Sequence, residues 1–297
     1  MAKVKGIYIR IKGKRLFNVN ISGFVLFALL LMYLLFMALP LIYLITTAFK
    51  PIDELYVFPP RFFPKNPTFG NFSDLFSLLD NTVIPFSRYI YNSIFYSVVM
   101  VLVTVIISVM CAYGMVKIRP KGSKIMSTVL IVALSISGPA AQIPRFLIVQ
   151  GLGLLNTYWS LILPQFASAF NVFLVCQFLQ GMPDAYLEAA RIDGANEWQI
   201  LWKIVFPYSR PAWATVVVFQ FIATWNDYTG PFLYISDQSK QTMPLAISTI
   251  GGMGAAALTT AGAMAAATLI MTLPCIVIFS FMQSKVLSTM SHSGIKS

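Results

Sequence analysis

Charge is scarce in this sequence. Only 10% of its 297 residues are charged, while 58% are hydrophobic; a soluble globular domain carries roughly 25% charged residues. A chain so poor in charge cannot cover a folded surface for water, so lipid must be its solvent. Cysteine is scarce too. Cys111, Cys176 and Cys275 all lie inside apolar runs, where they build no disulfide framework and match no zinc spacing, and each reads as a small buried hydrophobe. The single histidine, His292, sits in the tail, so no Ser/His/Asp or Cys/His constellation can form. A phosphate-cradling loop needs G-x-x-x-x-G-K-[S/T], and Gly13-Lys14-Arg15 lacks both the upstream glycine and the hydroxyl. The chain is therefore expected not to be an enzyme and to hold no metal. Its net charge of +11 needs no nucleic acid, because no soluble domain offers an organised basic face. Inner loops facing anionic headgroups account for it.

Apolar runs are what the sequence has in abundance. A spanning helix needs roughly 20 mostly apolar residues, and six segments qualify: 22–49, 89–115, 125–144, 158–179, 212–233 and 261–283. Pro40 is expected to kink the first, since proline removes a backbone donor and clashes with the preceding turn. The first segment follows a basic leader, but it is far longer than the roughly 7 to 15 apolar residues of a signal peptide and has no small-x-small cleavage site. It is expected to remain in the mature protein. The stretch from Ile247 to Thr260, rich in glycine and alanine, either extends the last span or caps it.

Orientation follows from the basic residues, which are retained in the cytoplasm beside spans. With the N-terminus inside, only Lys50, Arg61, Lys65, Arg88, Arg145 and Lys240 of the 21 basic residues fall outside. The predicted fold is an all-α membrane protein of six spans with both termini cytoplasmic. A basic segment, 1–21, leads into a membrane domain, 22–297. The outer loop from Lys50 to Arg88 is irregular at Pro51, Pro59, Pro60, Pro64 and Pro67. Its many phenylalanines suit a membrane surface, either as a cap or as a dock for an external partner.

Between the fourth and fifth spans lies a polar island, 182–211, which holds Asp184, Glu188, Asp193 and Glu197, four of the ten acids. Helix formers run from Ala185 to Ile192, break at Gly194 and resume at Glu197 until Pro207. That predicts a helix, a turn and a helix in the cytoplasm. Gly194 permits a turn that a Cβ would hinder, and Pro207 and Pro211 end the second helix and set the entry of the fifth span. Ala189 and Ala190 would keep one helical face flat for a partner, while Glu188 and Asp193 offer it acceptors.

The island resembles a known signature. Glu188-Ala189-Ala190, three residues, Gly194, nine residues, then Ile204-Val205-Phe206-Pro207 is similar to the EAA motif of ABC-importer permeases, with Phe206 in the usual leucine position. Arg191-Ile192-Asp193-Gly194-Ala195 resembles the carbohydrate branch, the maltose-permease-like type. The likeness extends through Phe63-Pro64, Asn66, Phe72, Asn92-Ser93, Ala112-Tyr113, Gly153-Leu154-Leu155-Asn156-Thr157 and Trp225-Asn226-Asp227, and more loosely to the tail, Ser293 to Ser297. The resemblance implies that Glu188, Ala189, Ala190, Asp193, Gly194, Ile204 and Pro207 belong to a coupling helix region seated on a cytoplasmic ATPase dimer. ATP and magnesium would be bound by that partner, not by this chain. It further implies a second, different permease, an extracytoplasmic solute-binding protein and a bacterial or archaeal plasma membrane. The expected cargo is a sugar or oligosaccharide.

Two polar stripes are candidates for lining the pathway. Gln220, Thr224 and Asp227 fall within roughly 60° of one another on a helix, and Ser160, Gln165, Ser168 and Asn171 share a broader face. The same residue types also make interhelical hydrogen bonds. Trp225 is either an interfacial anchor or a stacking surface for a sugar ring. Gly262 and the alanines 265–267 allow a close helix contact, within the chain or with a second permease. Two other readings compete: a secondary transporter, which should show inverted repeats with buried midplane charges, and a non-transporting membrane anchor.

Overall fold

The computed structural model describes residues 7–11, 14–19, 21–80, 84–136, 138–250 and 260–294. Residues 251–259 of the glycine- and alanine-rich stretch lie outside them, as do Lys3, Lys5, Lys12, Lys296 and the end of the tail; the side chain of His292 is also outside the description.

Apart from an antiparallel pair, β1 (Ile7–Ile11) and β2 (Lys14–Val19), the described fold is helical. The strands follow from the alternation of Ile7, Ile9 and Ile11, a period of two that the basic leader conceals. Three helices are long and apolar enough to cross a membrane: 23–48 within α1 (Ile21–Ala48), 86–118, and 261–286 within the last helix. The second of these is α4 (Phe86–Tyr113), which continues as a π-helical turn through Ile118. α1 runs unbroken through Pro40. Its apolar side chains are exposed along most of its length, as a helix bathed in lipid requires.

The other three expected spans are interrupted. The third divides into α5 (Ser123–Ser135) and α6 (Gln142–Gly151), with a 103° bend near Gly138-Pro139. The fourth divides into α7 (Tyr158–Ile162) and α8 (Ala169–Gln180) around Pro164. The fifth divides into α12 (Arg210–Trp225) and α13 (Thr229–Tyr234) ahead of Pro231. In each case a proline beside the break lacks the donor that an unbroken helix would need. Between them lie α9 (Ala185–Ile192), α10 (Glu197–Ile200), a π turn (Leu201–Val205) and α11 (Phe206–Tyr208). α14 (Met243–Ile250) and α15 (Ala261–Gly294) complete the chain.

α4 is the central post, packed against α8 and α12; α15 packs against α12, α1 and α3 (Gly70–Asp80). Along α4, Ser97, Thr104, Ser108 and Ala112 are fully buried, and such small side chains let spans approach closely. Gly262 and Ala265 to Ala267 pack inside this chain: a Cβ on Gly262 would fall 2.2 Å from Asn71 Oδ1, and the alanines are buried. Trp225 is neither anchor nor platform. It is buried, stacked on Phe221 at 5.5 Å, and donates from Nε1 to Met271 O at 2.9 Å. Of the three cysteines expected to be buried, only Cys176 is; Cys111 is exposed and Cys275 half-buried.

The described part of the loop between α1 and α4 is folded. Asn71 Nδ2 donates to Ala48 O and Lys50 O at 2.9 and 2.7 Å, satisfying carbonyls that the end of α1 leaves unpaired. The Glu54 carboxylate, in α2 (Ile52–Leu55), accepts from Lys65 N and Asn66 N at 2.8 and 3.0 Å.

Candidate functional site

The knuckle formed by α9 and α10 is built by local chemistry. Gly194 takes φ +81°, the left-handed region that favours glycine. Ala195 N then closes back on Ala190 O at 2.9 Å. Asn196 and Gln199 form a reciprocal capping box at 2.8 and 2.9 Å, which starts the second helix.

α9 is two-faced. Leu187 and Ala190, 2% and 8% exposed, enter the core beside Ile200, Leu201 and Val205. Glu188, Ala189 and Asp193 are exposed, and Ile192 is 86% exposed. Ala189 and Ala190 therefore do not share the flat face expected of them, since adjacent helical residues point about 100° apart. Ala189 belongs to the open face and Ala190 to the packing. Ile204 is half-buried against the same core and Pro207 is exposed at the first turn of α11. The second helix does not end at Pro207: the helical run widens into the π turn and continues through Pro207 to Tyr208. Asp193, Gly194, Ala195, Gln199, Lys203 and Ile204 line an open cavity of about 320 Å³.

Two of the four acids fasten the knuckle to the end of α4. Lys117 Nζ meets Asp184 Oδ1 at 2.6 Å and donates to Met182 O at 2.5 Å, with a side chain only 2% exposed. The hydrogen bond from Lys117, followed by its charge, holds the Asp184 carboxyl below its ordinary value. Glu197 accepts from the Tyr113 hydroxyl and from Arg191 Nε, the latter at 3.0 Å. The Arg191 hydrogen bond leads in lowering its pKa. Glu188 and Asp193 are left facing outward. Tyr113, Lys117 and Asp184 had no place in the sequence-derived site; Asp184 was legible only as an acid of the island, and Tyr113 only through the Ala112-Tyr113 resemblance.

At the opposite end of α12 the two polar stripes meet. Asn171 Nδ2 donates to Gln220 Oε1 at 3.0 Å, both buried. Gln165 Nε2 donates to Asp227 Oδ2 at 3.3 Å, and Tyr96, which the sequence did not single out, donates to the same oxygen at 3.2 Å. Gly230 N donates to Asp227 Oδ1 at 2.9 Å. Thr224 and Ser160 are turned back to main chain, to Gln220 O at 2.8 Å and Thr157 O at 2.6 Å. Ser168 is half-buried at the start of α8 and its hydroxyl makes no cap bond. Asn171, Gln220, Gln165 and Asp227 thus bridge helices, while Ser160, Ser168 and Thr224 join no such bridge among the described residues.

A further polar lattice holds together the start of α4, the loop before α7 and the segment between α13 and α14. Asn92 Nδ2 donates to Ser239 O and Gln241 O at 2.9 and 2.8 Å. Tyr158 donates to Asn92 Oδ1 at 2.8 Å, and Met243 N to Ser93 Oγ at 2.7 Å. Asn156, at φ +61°, accepts on Oδ1 from Asp237 N at 3.0 Å. Asn92-Ser93 and the Gly153-to-Thr157 run were legible as resemblance, but not as a lattice.

Residues 104–288 match the family described as the inner membrane component of binding-protein-dependent transport systems. The chain is 35% identical over 226 residues to the polygalacturonan/rhamnogalacturonan transport system permease protein YtcP of Bacillus subtilis (strain 168), covering 76% of this chain and 75% of that one. It is 29% identical to the lactose transport system permease protein LacG of Rhizobium radiobacter, covering 76% and 80%. Among solved structures it is similar to a chain of a bacterial ABC transporter involved in the import of the acidic polysaccharide alginate, with 25% identity, a TM-score of 0.76 and coverage of 89% and 96%. With a family model matching more than half of its length and a relative 35% identical over 76% of it, the chain belongs to the binding-protein-dependent transport system inner membrane components, the permeases of ABC importers.

Proposed function

We propose that this permease forms half of the pathway by which a sugar or oligosaccharide, delivered by an extracytoplasmic binding protein, enters the cell. The three continuous helices and three interrupted segments make six crossings with both termini cytoplasmic. The segment before β1 and the hairpin itself lie in the cytoplasm, and 22–297 is the membrane domain. The chain has no ATPase site of its own; ATP and magnesium act in two partner subunits. A second, different permease supplies the other half of the pathway. Relatives named for polygalacturonan/rhamnogalacturonan, lactose and alginate support a carbohydrate cargo.

The observation that carries this reading is the division of labour among the acids of the knuckle. Asp184 and Glu197 hold it to α4, leaving Glu188, Ala189, Ile192, Asp193 and Gly194 exposed, the last two of them at the rim of an open cavity. Such a surface, rigidly joined to α12, can transmit closure of two ATPases to the spans as a rigid-body switch, biased by nucleotide binding in the partner. In this reading Gln165, Asn171, Gln220 and Asp227 border the pathway, with Ser160, Ser168 and Thr224 beside them.

A mild-detergent pull-down from the native membrane tests the assembly. Two ATPase copies and one second permease per chain are expected. Recovery of the chain alone, or as a homodimer without ATPase, would overturn the importer reading.

A further inference from the structure

The helical run after Gly194 extends from Glu197 through the π turn to Tyr208 and has three sides. Ile200, Leu201 and Val205 are buried in the core. Gln199 and Lys203 border the open cavity. Between those two sides Trp198 and Trp202 lie one turn apart, 60% and 44% exposed. The Trp202 ring meets Phe206 at 5.1 Å, and Phe206 stacks on Trp213 at 5.7 Å. An aromatic stripe therefore leads from the knuckle into the first turn of α12. Trp213 Nε1 donates to Phe206 O at 3.1 Å. The indole N–H groups of Trp198 and Trp202 make no hydrogen bond among the described residues.

The depth of the stripe is set by the residue that precedes it. Glu197 accepts from Tyr113, which stands five residues before the end of the apolar helix 86–118. A hydrocarbon core takes about 20 residues of helix, so a helix of 33 residues carries its last turns into the headgroup layer. Tyr113 is at that level, and the run tied to it lies along the membrane boundary. Tryptophan favours that boundary, where its ring is apolar and its N–H finds a wet partner.

The same level is cationic. Lys203 and Arg210 are exposed and make no ion pair or hydrogen bond among the described residues. Lys121 and Lys124 are exposed just beyond the end of the same apolar helix. The acid within the run, Glu197, is occupied by Tyr113 and Arg191, and the outward-facing Glu188 and Asp193 belong to the other side of the hinge. Aromatic side chains beside unpaired cations are what a helix lying in an anionic membrane surface requires.

We propose that residues 197–210 are seated in the headgroup layer of an anionic bilayer, with Trp198 and Trp202 at the acyl boundary and Lys203 and Arg210 on lipid phosphates. The knuckle is then held twice, by α4 through Asp184 and Glu197 and by lipid through the stripe, and α9 is the side left to a soluble partner. This goes beyond the importer reading and needs only the membrane setting of the chain.

The test is tryptophan fluorescence of the complex as purified from its own membrane and exchanged into nanodiscs. Bromine on the acyl chains quenches indoles that touch lipid. The difference between wild type and Trp198→Phe/Trp202→Phe isolates these two from every other tryptophan, and brominated lipid should remove most of that difference signal. A small share of brominated phosphatidylglycerol should quench it more than the same share of brominated phosphatidylcholine. Lys203→Gln and Arg210→Gln should each lower that enrichment up to about fivefold, the scale of one cation at an anionic surface. A difference signal untouched by brominated lipid overturns the proposal and assigns the stripe to a protein partner. Equal quenching by the two lipids, or an enrichment that survives both cation variants, overturns it too. Failure of the importer reading is seen separately, as missing ATPase in the pull-down, and leaves the quenching expected here unchanged.

Discussion

Gln165 and Asp227 join two interrupted helical segments. One sits in the gap between α7 and α8, the other between α12 and α13, and the amide of the first donates to the carboxylate of the second at 3.3 Å. Tyr96 of the unbroken α4 donates to the same oxygen. A break on its own would leave backbone groups loose in the membrane; two breaks tied to one post are held in register.

Asp227→Ala removes the acceptor of all three donors. Buried donors left unpaired cost about 1–3 kcal/mol each, so the thermal midpoint in detergent should fall and uptake with it, while the ATPases still co-purify. Gln220→Ala should lower uptake in the same way through Asn171. Unchanged uptake of every sugar offered to either variant would count against a place on the pathway.

Gly194→Val tests the hinge. Nothing lies within 4 Å of a Cβ at this position, so the penalty is conformational, about 1–2 kcal/mol or more for a left-handed L-residue. The spans should stay folded by circular dichroism while uptake per ATP hydrolysed drops several-fold. Undiminished coupling would remove Gly194 from the transmission path.

Lys117→Met should loosen the knuckle from α4 and weaken ATPase retention in the pull-down. Acid should do the same. Asp184 and Glu197 are held below their ordinary values of 3.8 and 4.5. For such depressed carboxylates the anchorage is complete above those values and is lost as the pH falls through each folded one. Hydrogen exchange of 185–200 in nanodiscs should therefore stay slow at neutral pH and rise only in strong acid. A rise centred near neutrality would point to another cause.

Gly262→Ala should clash with Asn71, whose Nδ2 is already tied to Ala48 O and Lys50 O. Overpacking of this kind costs typically about 1–3 kcal/mol. In a double-mutant cycle by thermal melting, Asn71→Ala should cost stability alone but far less on top of Gly262→Ala. Strict additivity would show that the two residues do not meet.

Much of this was legible in the sequence because it is local. Charge scarcity and runs of apolar residues give the membrane class, and the continuous helices at 23–48, 86–118 and 261–286 follow those runs. Gly194 between two helix-forming stretches gives the knuckle, and a 3.6-residue period puts Gln220 and Asp227 on one face. Run length could not reveal the bend near Gly138-Pro139 or the breaks at 163–168 and 226–228, because each lies within or beside a long, mostly apolar run. Their prolines are compatible with either outcome, as Pro40 and Pro274 within helices show.

Composition and short-range periodicity determined that this chain lives in lipid and presents an acidic, hinged knuckle. Tertiary structure alone decided which acids of that knuckle are spent inward, through Lys117 and Tyr113 arriving 67 and 84 residues away in sequence. It also decided that Ala190 is core where Ala189 is surface, and that Trp225 is buried. A side chain's chemistry is written in its own residue, but its partner is chosen by whichever distant segment the packing brings within about 3 Å.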